Sequence, residues 1–334
     1  MIDLKSVRPL DVFIAIVAVL VIGLGAFLGY SVWSENRAVV DATPASRAVL
    51  QLEANVRAKP NDLNARMELA QALVVAGRDR EAIPQYEAAL KIKKDFPAAI
   101  SGLGFVALKA KNWAQGETYF RRVVDLLAPL QVSGVNPDLE TAYFYLGTAL
   151  MEQHKYEDAI GYLKQAVLLK RDASDTHYAL AVCYRAIDSP AKYREELQNT
   201  LLFDPKMPEA NYDFGKLLLA SGDKAGAAEH FRVSIDAAPG NELPQSALDA
   251  LGTFNDHYSA AERSKANDPK AALVEARIAG AIDPRSVKAL DLVGELYAKL
   301  GNKTHAAVAY RRALLLDPND SSAKAGLKRV TNGK

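Results

Sequence analysis

Five histidines, one cysteine and the Ser221–Lys224 pair are residues of types suited to metal binding or covalent chemistry. A zinc site needs its ligands gathered, commonly as two histidines four apart on one helix or as paired cysteines. His154, His177, His230, His257 and His305 form no H-x-x-x-H pair, and none neighbours Cys183, so neither a metal nor a cofactor is expected. Cys183 is alone and can close no intramolecular disulfide. Ser221 and Lys224 have the S-x-x-K spacing in which a lysine assists a serine nucleophile. Their context, Ser221-Gly-Asp-Lys224, has the composition of a tight turn and is read as one. No G-x-x-x-x-G-K-[ST] loop is present, and Gly23-Leu-Gly25 lies inside an apolar run rather than after a strand. A non-catalytic chain with no small-molecule substrate is therefore expected.

The elements that carry these residues are helical. Hydrophobic residues make up 49% of the 334 and are dominated by Ala and Leu, with little of the period-two alternation of an exposed strand. Lys plus Arg number 41 against 40 for Asp plus Glu, a balance that offers no long-range field to gather phosphate backbones. Nucleic acid is thus not an expected partner.

After a short tail, 1–11, the run from Val12 to Trp33 contains no charged residue, and its 22 residues match the roughly 20 that cross a bilayer's hydrocarbon core. Tyr30 and Trp33 stand where amphipathic rings favour the headgroup region. A cleaved signal peptide has a shorter apolar core and a small-x-small cleavage site; the nearest match, Gly29-Tyr30-Ser31, is still within the run. Residues 12–33 are accordingly read as a transmembrane helix in contact with the lipid bilayer, followed by a polar linker, 34–43. Lys5 and Arg8 precede it, while Arg37 and Arg47 are the nearest basic residues beyond, which favours an N-terminus on the cytoplasmic side and the remaining chain outside it. Gly25 and Gly29 have the small-xxx-small spacing that lets membrane helices approach, in a homodimer or against another membrane subunit.

From Pro44 onward the sequence repeats itself. The clearest unit, Val287 to Asp320, carries Leu290, Val293, Gly294, Tyr297, Gly301, Ala306, Tyr310, Ala313 and Pro318. Copies of this 34-residue unit start at 63, 97, 140, 174, 208, 253 and 287, seven in all. Gly77, Gly222 and Gly301 mark turns between paired helices, where glycine accepts a left-handed backbone. Asp204-Pro205, Asp283-Pro284 and Asp317-Pro318 end second helices, because proline disfavours a helical residue before it. Residues 44–60 read as a half-repeat and 321–330 as a capping helix. The register breaks at 131–139 and at 241–252, the second break reading as a lengthened first helix from near Pro244.

These residues and spacings resemble the tetratricopeptide repeat (TPR) family. The resemblance implies an all-α, right-handed superhelix of about seven helix-turn-helix repeats plus caps, with an inner face that binds proteins or peptides. Carrying over the first-helix positions that line that face gives Met67, Ser101, Phe144, Tyr178, Tyr212, His257 and Asp291 as one row. The next rows are Gln71, Phe105, Thr148, Val182, Lys216, Ala261 and Glu295, then Val74, Leu108, Met151, Arg185, Leu219, Ser264 and Ala298. The Lys/Asn pattern with which some members clamp a C-terminal carboxylate does not occur at its usual positions. A peptide-binding groove is expected at Met67, Phe105, Phe144, Met151, Tyr178, Arg185, Tyr212 and Lys216, through aromatic contacts and charge-assisted hydrogen bonds. With its anchor, the chain resembles bacterial envelope TPR proteins of the cytoplasmic (inner) membrane with a periplasmic repeat domain. The expected function is a membrane-anchored scaffold or adaptor that helps assemble an envelope complex. A translocation-associated chaperone and a structural accessory subunit are the alternatives.

Overall fold

The structure is a computed structural model that describes residues 44–131 and 136–332. The tail, the predicted membrane helix at 12–33 with Gly25 and Gly29, and the linker at 34–43 lie outside the described residues. Among the described residues no helix is long and apolar enough to cross a membrane. The chain divides into two compact units, residues 1–133 and 134–334.

The first unit contains α1 (Pro44–Ala58), α2 (Leu63–Val75), α3 (Asp79–Ile92), α4 (Pro97–Lys109) and α5 (Trp113–Leu127), closed by a 3-10 turn over Ala128–Leu130. Helices α2 with α3 and α4 with α5 pair as hairpins, and α1 packs on α2. Asp62 starts α2 by accepting the backbone N–H groups of Asn64 and Ala65, which satisfies donors a helix otherwise leaves orphaned. The core joins Val49 and Val56 of α1 to Leu69, Leu73, Tyr86 and Leu103. The spacing of these residues is set by small ones: a side chain at Gly102 would strike the Tyr86 ring, and one at Gly104 the Phe120 ring.

The second unit contains α6 (Pro137–Glu152), α7 (Tyr156–Leu169), α8 (Ser174–Ala186), α9 (Pro190–Phe203), α10 (Pro208–Ala220), α11 (Lys224–Ala237), α12 (Glu242–Asp249), α13 (Phe254–Ser264), α14 (Pro269–Ile282), α15 (Val287–Lys299), α16 (Lys303–Leu316) and α17 (Ser321–Thr331). Helix α6 begins at Pro137, capped by Asn136, so the predicted break at 131–139 ends inside a helix one turn longer than its counterparts. Large residues of second helices again sit over glycines of first helices. A Cβ built on Gly147 would lie 2.6 Å from Leu163, and one on Gly215 2.6 Å from Phe231. At the far end Tyr310 lies over both Gly294 of α15 and Gly326 of α17.

Six hairpins share one turn geometry. Gly77, Gly222 and Gly301 are left-handed, with φ of 73°, 88° and 80°, and the corresponding positions of the other three are held by Lys111, His154 and Asp188 at φ of 57°, 61° and 52°. His154 is thus a turn residue. Ser221 is another: it ends α10, with its hydroxyl donating to the Leu218 carbonyl at 2.9 Å.

The region around 241–252 corrects the sequence reading twice. The first helix is not lengthened back to Pro244. A separate eight-residue helix, α12, stands there, and Thr253 caps a new helix that starts at Phe254. The repeat is also one residue short. In regular hairpins the small residue at the helix crossing precedes that of the second helix by twelve positions, as in Gly147 and Ala159 or Gly215 and Ala227. Here the fully buried pair is Ala261 and Ala272, eleven apart. Counting back from the second helix therefore misplaces every residue of α13 by one.

Candidate partner-binding face

Helices α6, α8 and α10 are the first helices of successive hairpins. Helix α6 packs on α8, and α8 is tied to α10 through Asp213. Spacings of four and seven place residues on one side of a helix, which aligns Phe144 with Met151 on α6, Tyr178 with Arg185 on α8, and Tyr212 with Lys216 on α10.

Asp213 is the centre of this arrangement. It is 4% exposed, and a carboxylate so buried must be paired and hydrogen-bonded. Arg185 Nη1 donates to its Oδ2 at 2.7 Å, and the Tyr178 hydroxyl donates to the same oxygen at 3.3 Å. Lys216 Nζ stands 3.6 Å from Oδ1. Arg185 also donates to the Tyr193 hydroxyl at 3.5 Å, with its guanidinium 5.7 Å above that ring, and the Lys216 ammonium lies 5.1 Å over Tyr212. Such placements exploit the negative faces of aromatic rings. Burial and the Asp213 charge raise the Tyr178 hydroxyl far above its ordinary range and push Tyr193 up to about 12, so both are donors at any physiological pH. Burial opposes the charge of Arg185, but Asp213 together with Tyr193 and Tyr178 outweighs it and the guanidinium's pKa is raised.

The structure therefore gathers Tyr178, Arg185, Tyr212 and Lys216 into one cluster, beside Phe144 and Met151 on the neighbouring helix. Phe144 is half-buried and meets Tyr145 edge-on at 4.9 Å; Met151 is half-buried as well. Met67 and Phe105 belong to the first unit. Met67, expected in the groove, exposes only 8% and is part of that unit's core, while Phe105 rests edge-on against Phe120 at 5.3 Å. Asp213 and Tyr193 were not anticipated. The available signal was the pair of cations at Arg185 and Lys216, which next to a lone acid one residue after Tyr212 calls for a buried counter-charge.

The missing residue also moves the rows. His257, predicted to face the groove, donates instead into its own hairpin, and Ala261 is a fully buried crossing residue. Tyr258 takes the place of His257; it stacks on Phe254 at 5.6 Å, and Lys288 stands 4.9 and 4.8 Å over the two rings. Beyond it Asp291 carries a carboxyl raised to about 6 by burial and by Asp320, with its Oδ1 buried and unpartnered.

Three of the histidines, His177, His230 and His257, serve packing within their hairpins. The fourth residue of four first helices, Arg66, His177, Asn211 or His257, binds the carbonyl six residues earlier, that of Pro60, Arg171, Pro205 or Leu251. The same residue also meets a side chain of the paired helix, respectively Gln85, Glu196, His230 or Glu275. The separation is 19 residues in the first three and 18 in the last, as the missing residue requires. Both ring nitrogens of His177 face acceptors, which only the doubly protonated ring satisfies. Burial works against that charge, yet the Glu196 carboxylate and the Arg171 carbonyl outweigh it and raise the pKa. Cys183 is fully buried, and burial pushes its thiol up to about 12, so it is not a nucleophile.

Two models of the tetratricopeptide repeat match the sequence, one at residues 287–320 and the other at 38–100, 144–198 and 191–242, together more than half of the chain. Residues 243–286, which hold the shortened hairpin, fall outside these matches. No curated protein matches the chain. Among solved structures it is similar to YrrB, a TPR protein with an unusual peptide-binding site, at 18% identity and a TM-score of 0.46, over 59% of this chain and 96% of that one. It is also similar to PilF of Pseudomonas aeruginosa, at 16% identity and a TM-score of 0.47 over 80% and 98%. A third is MamA of Desulfovibrio magneticus RS-1, at 19% identity and a TM-score of 0.46 over 54% and 97%. With its hairpins, its turn positions and these sequence matches, the chain belongs to the tetratricopeptide repeat family.

Proposed function

We propose that this chain is a single-pass, membrane-anchored scaffold of the bacterial envelope that binds peptide segments of protein partners and helps them assemble. In this reading residues 12–33 hold it in the cytoplasmic membrane with the N-terminus inside. The repeats, wound as a right-handed superhelix, stand on the periplasmic side. Binding is the work of the face formed by α6, α8 and α10. The observation that carries the reading is the cluster around Asp213, where tyrosines and two cations are fixed in place yet remain partly open to solvent. Preorganised aromatic and Arg anchors are the usual carriers of interface energy. The anchor is supported by the length and the lack of charge of 12–33. Tethering raises local concentration at the membrane, so modest affinity suffices.

The test is affinity capture after gentle detergent extraction, comparing the native chain with Tyr178→Ala/Tyr212→Ala. Loss of stoichiometric partners with helical content unchanged is the expected result. An unchanged set of partners on a folded variant would overturn the binding face, and release of the chain from membranes by an alkaline wash would overturn the anchor.

A further inference from the structure

We propose that the Arg185–Asp213–Lys216 cluster is a seat for a carboxylate, so that the partner segment is acidic, with an Asp or Glu side chain next to an aromatic or aliphatic one. This rests on the reading of α6, α8 and α10 as the binding face. The Asp213 side chain is only 5% exposed, whereas those of Arg185 and Lys216 are 45% and 51% exposed. The anion is therefore hidden behind the two cations it aligns. One Asp213 oxygen takes Arg185 and the other takes Lys216, which brings both cations to one place on the face. Arg185 commits Nη1 to Asp213 and Tyr193, and its planar fork retains Nε and Nη2 for a bidentate acceptor. Lys216 is held at 3.6 Å, beyond hydrogen-bond length, and can turn toward an incoming oxygen.

The surrounding charges agree with this occupant. Two cations against one shielded anion leave a local positive charge. The next acid on α10, Glu209, is seven residues before Lys216, about 10 Å along the helix axis; its charge is felt at Tyr178, on the side of the seat away from Lys216. Tyr212 beneath Lys216 and Tyr178 beside Asp213 supply ring surface for an apolar neighbour of the bound carboxylate. On α13 and α15 the row positions instead hold Glu262, Asp291 and Glu295, three acids against two cations, Lys265, already bound to Glu262 and near Glu295, and Lys288, engaged over Phe254 and Tyr258. An acidic segment is repelled there and admitted between α8 and α10.

The experiment selects peptides from a random 12-residue phage-displayed library on the full-length chain, then titrates a fluorescent copy of the best binder. Selected peptides should be enriched in Asp or Glu adjacent to an aromatic or aliphatic residue. Changing that Glu to Gln should weaken binding about tenfold, and the affinity of the acidic form should fall with added salt. Because Arg185→Met alone strands a buried carboxylate, Arg185→Met/Asp213→Asn is the matched variant; it should lose the preference for Glu over Gln while keeping its helical signal. Lys216→Gln should lose part of it. Peptides that depend on Tyr178 and Tyr212 but bind equally as Glu or Gln would overturn the carboxylate seat and leave the face standing. Binding indifferent to Tyr178→Ala and Tyr212→Ala would overturn the face itself. Failure to select any peptide would count against the seat.

Discussion

Among the described residues six hairpins are built on one plan, and the seventh, α13 with α14, keeps its bracketing fourth residue but departs from the plan at its crossing, its turn and its joint. In four of the six, a first-helix glycine, Gly104, Gly147, Gly215 or Gly294, lies against the side chain sixteen positions later, Phe120, Leu163, Phe231 or Tyr310; in the other two, Ala70 and Tyr86 and Ala181 and Leu197 stand at the same spacing, all buried. The turn between the helices contains a left-handed residue. In the seventh, Ala261 meets a cluster containing Ala276, both fully buried, and no left-handed residue occurs between its helices. The connection to what precedes differs as well. At regular joints a second helix packs on the next first helix, as α7 on α8 and α14 on α15. At 241–252, α11 packs on α12 and on α14, another second helix. Polar ties hold that joint: Arg232 donates to the carbonyls of Ala281 and Ile282 at 2.7 and 3.1 Å, and Arg277 makes two 2.7 Å bonds to Glu229. Where the period is intact, the sizes of the side chains at the crossing space the two helices; where one residue is lost, charge-assisted hydrogen bonds and a short helix bridge the joint.

The comparison is broken most severely at a regular crossing. Phe231→Ala removes a fully buried ring and should cost about 3–5 kcal/mol in urea unfolding. A loss below about 1 kcal/mol would show that the ring is not what spaces α10 from α11. At the irregular joint, Arg232→Met keeps the apolar stem but removes the donors to the end of α14, and about 2 kcal/mol should be lost. Wild-type stability in that variant would mean that apolar contacts of α12 and α14 suffice. The smallest change sharpens the turn rule. His154→Gly relieves a left-handed non-glycine and, after the entropy of glycine in the unfolded chain, should stabilise by about 0.5 kcal/mol, read as a raised Tm.

Most of the fold was legible because its signals are local and repeated. The left-handed turns, the proline stops and the glycine crossings each recur, so one diverged copy is corrected by the others. Single-residue slips are not corrected in this way. The copy from 253 is phased on Ala260, on Ala272 and Ala279 of its second helix and on Pro284 just beyond it; Ala260 is as small as the true crossing residue, Ala261, so nothing in that stretch reports a missing residue and His257 takes the place of Tyr258. The candidate face was half legible. Tyr178, Arg185, Tyr212 and Lys216 follow from their row, but Asp213 does not, since its burial depends on two neighbouring hairpins closing over it. The burial of Met67 is not legible, because a methionine on a first helix has the same spacing whether it faces a partner or the core.

The bracket made by Arg66, His177, Asn211 and His257 bears on how the chain comes apart. Each of these residues grips the connector behind it and the helix ahead of it at once. Loosening a hairpin so fastened also frees the connector to its predecessor, which adds to the cost of opening it singly. Opening is thereby made more collective across adjoining hairpins in an architecture that, by its contacts alone, would permit each to melt by itself.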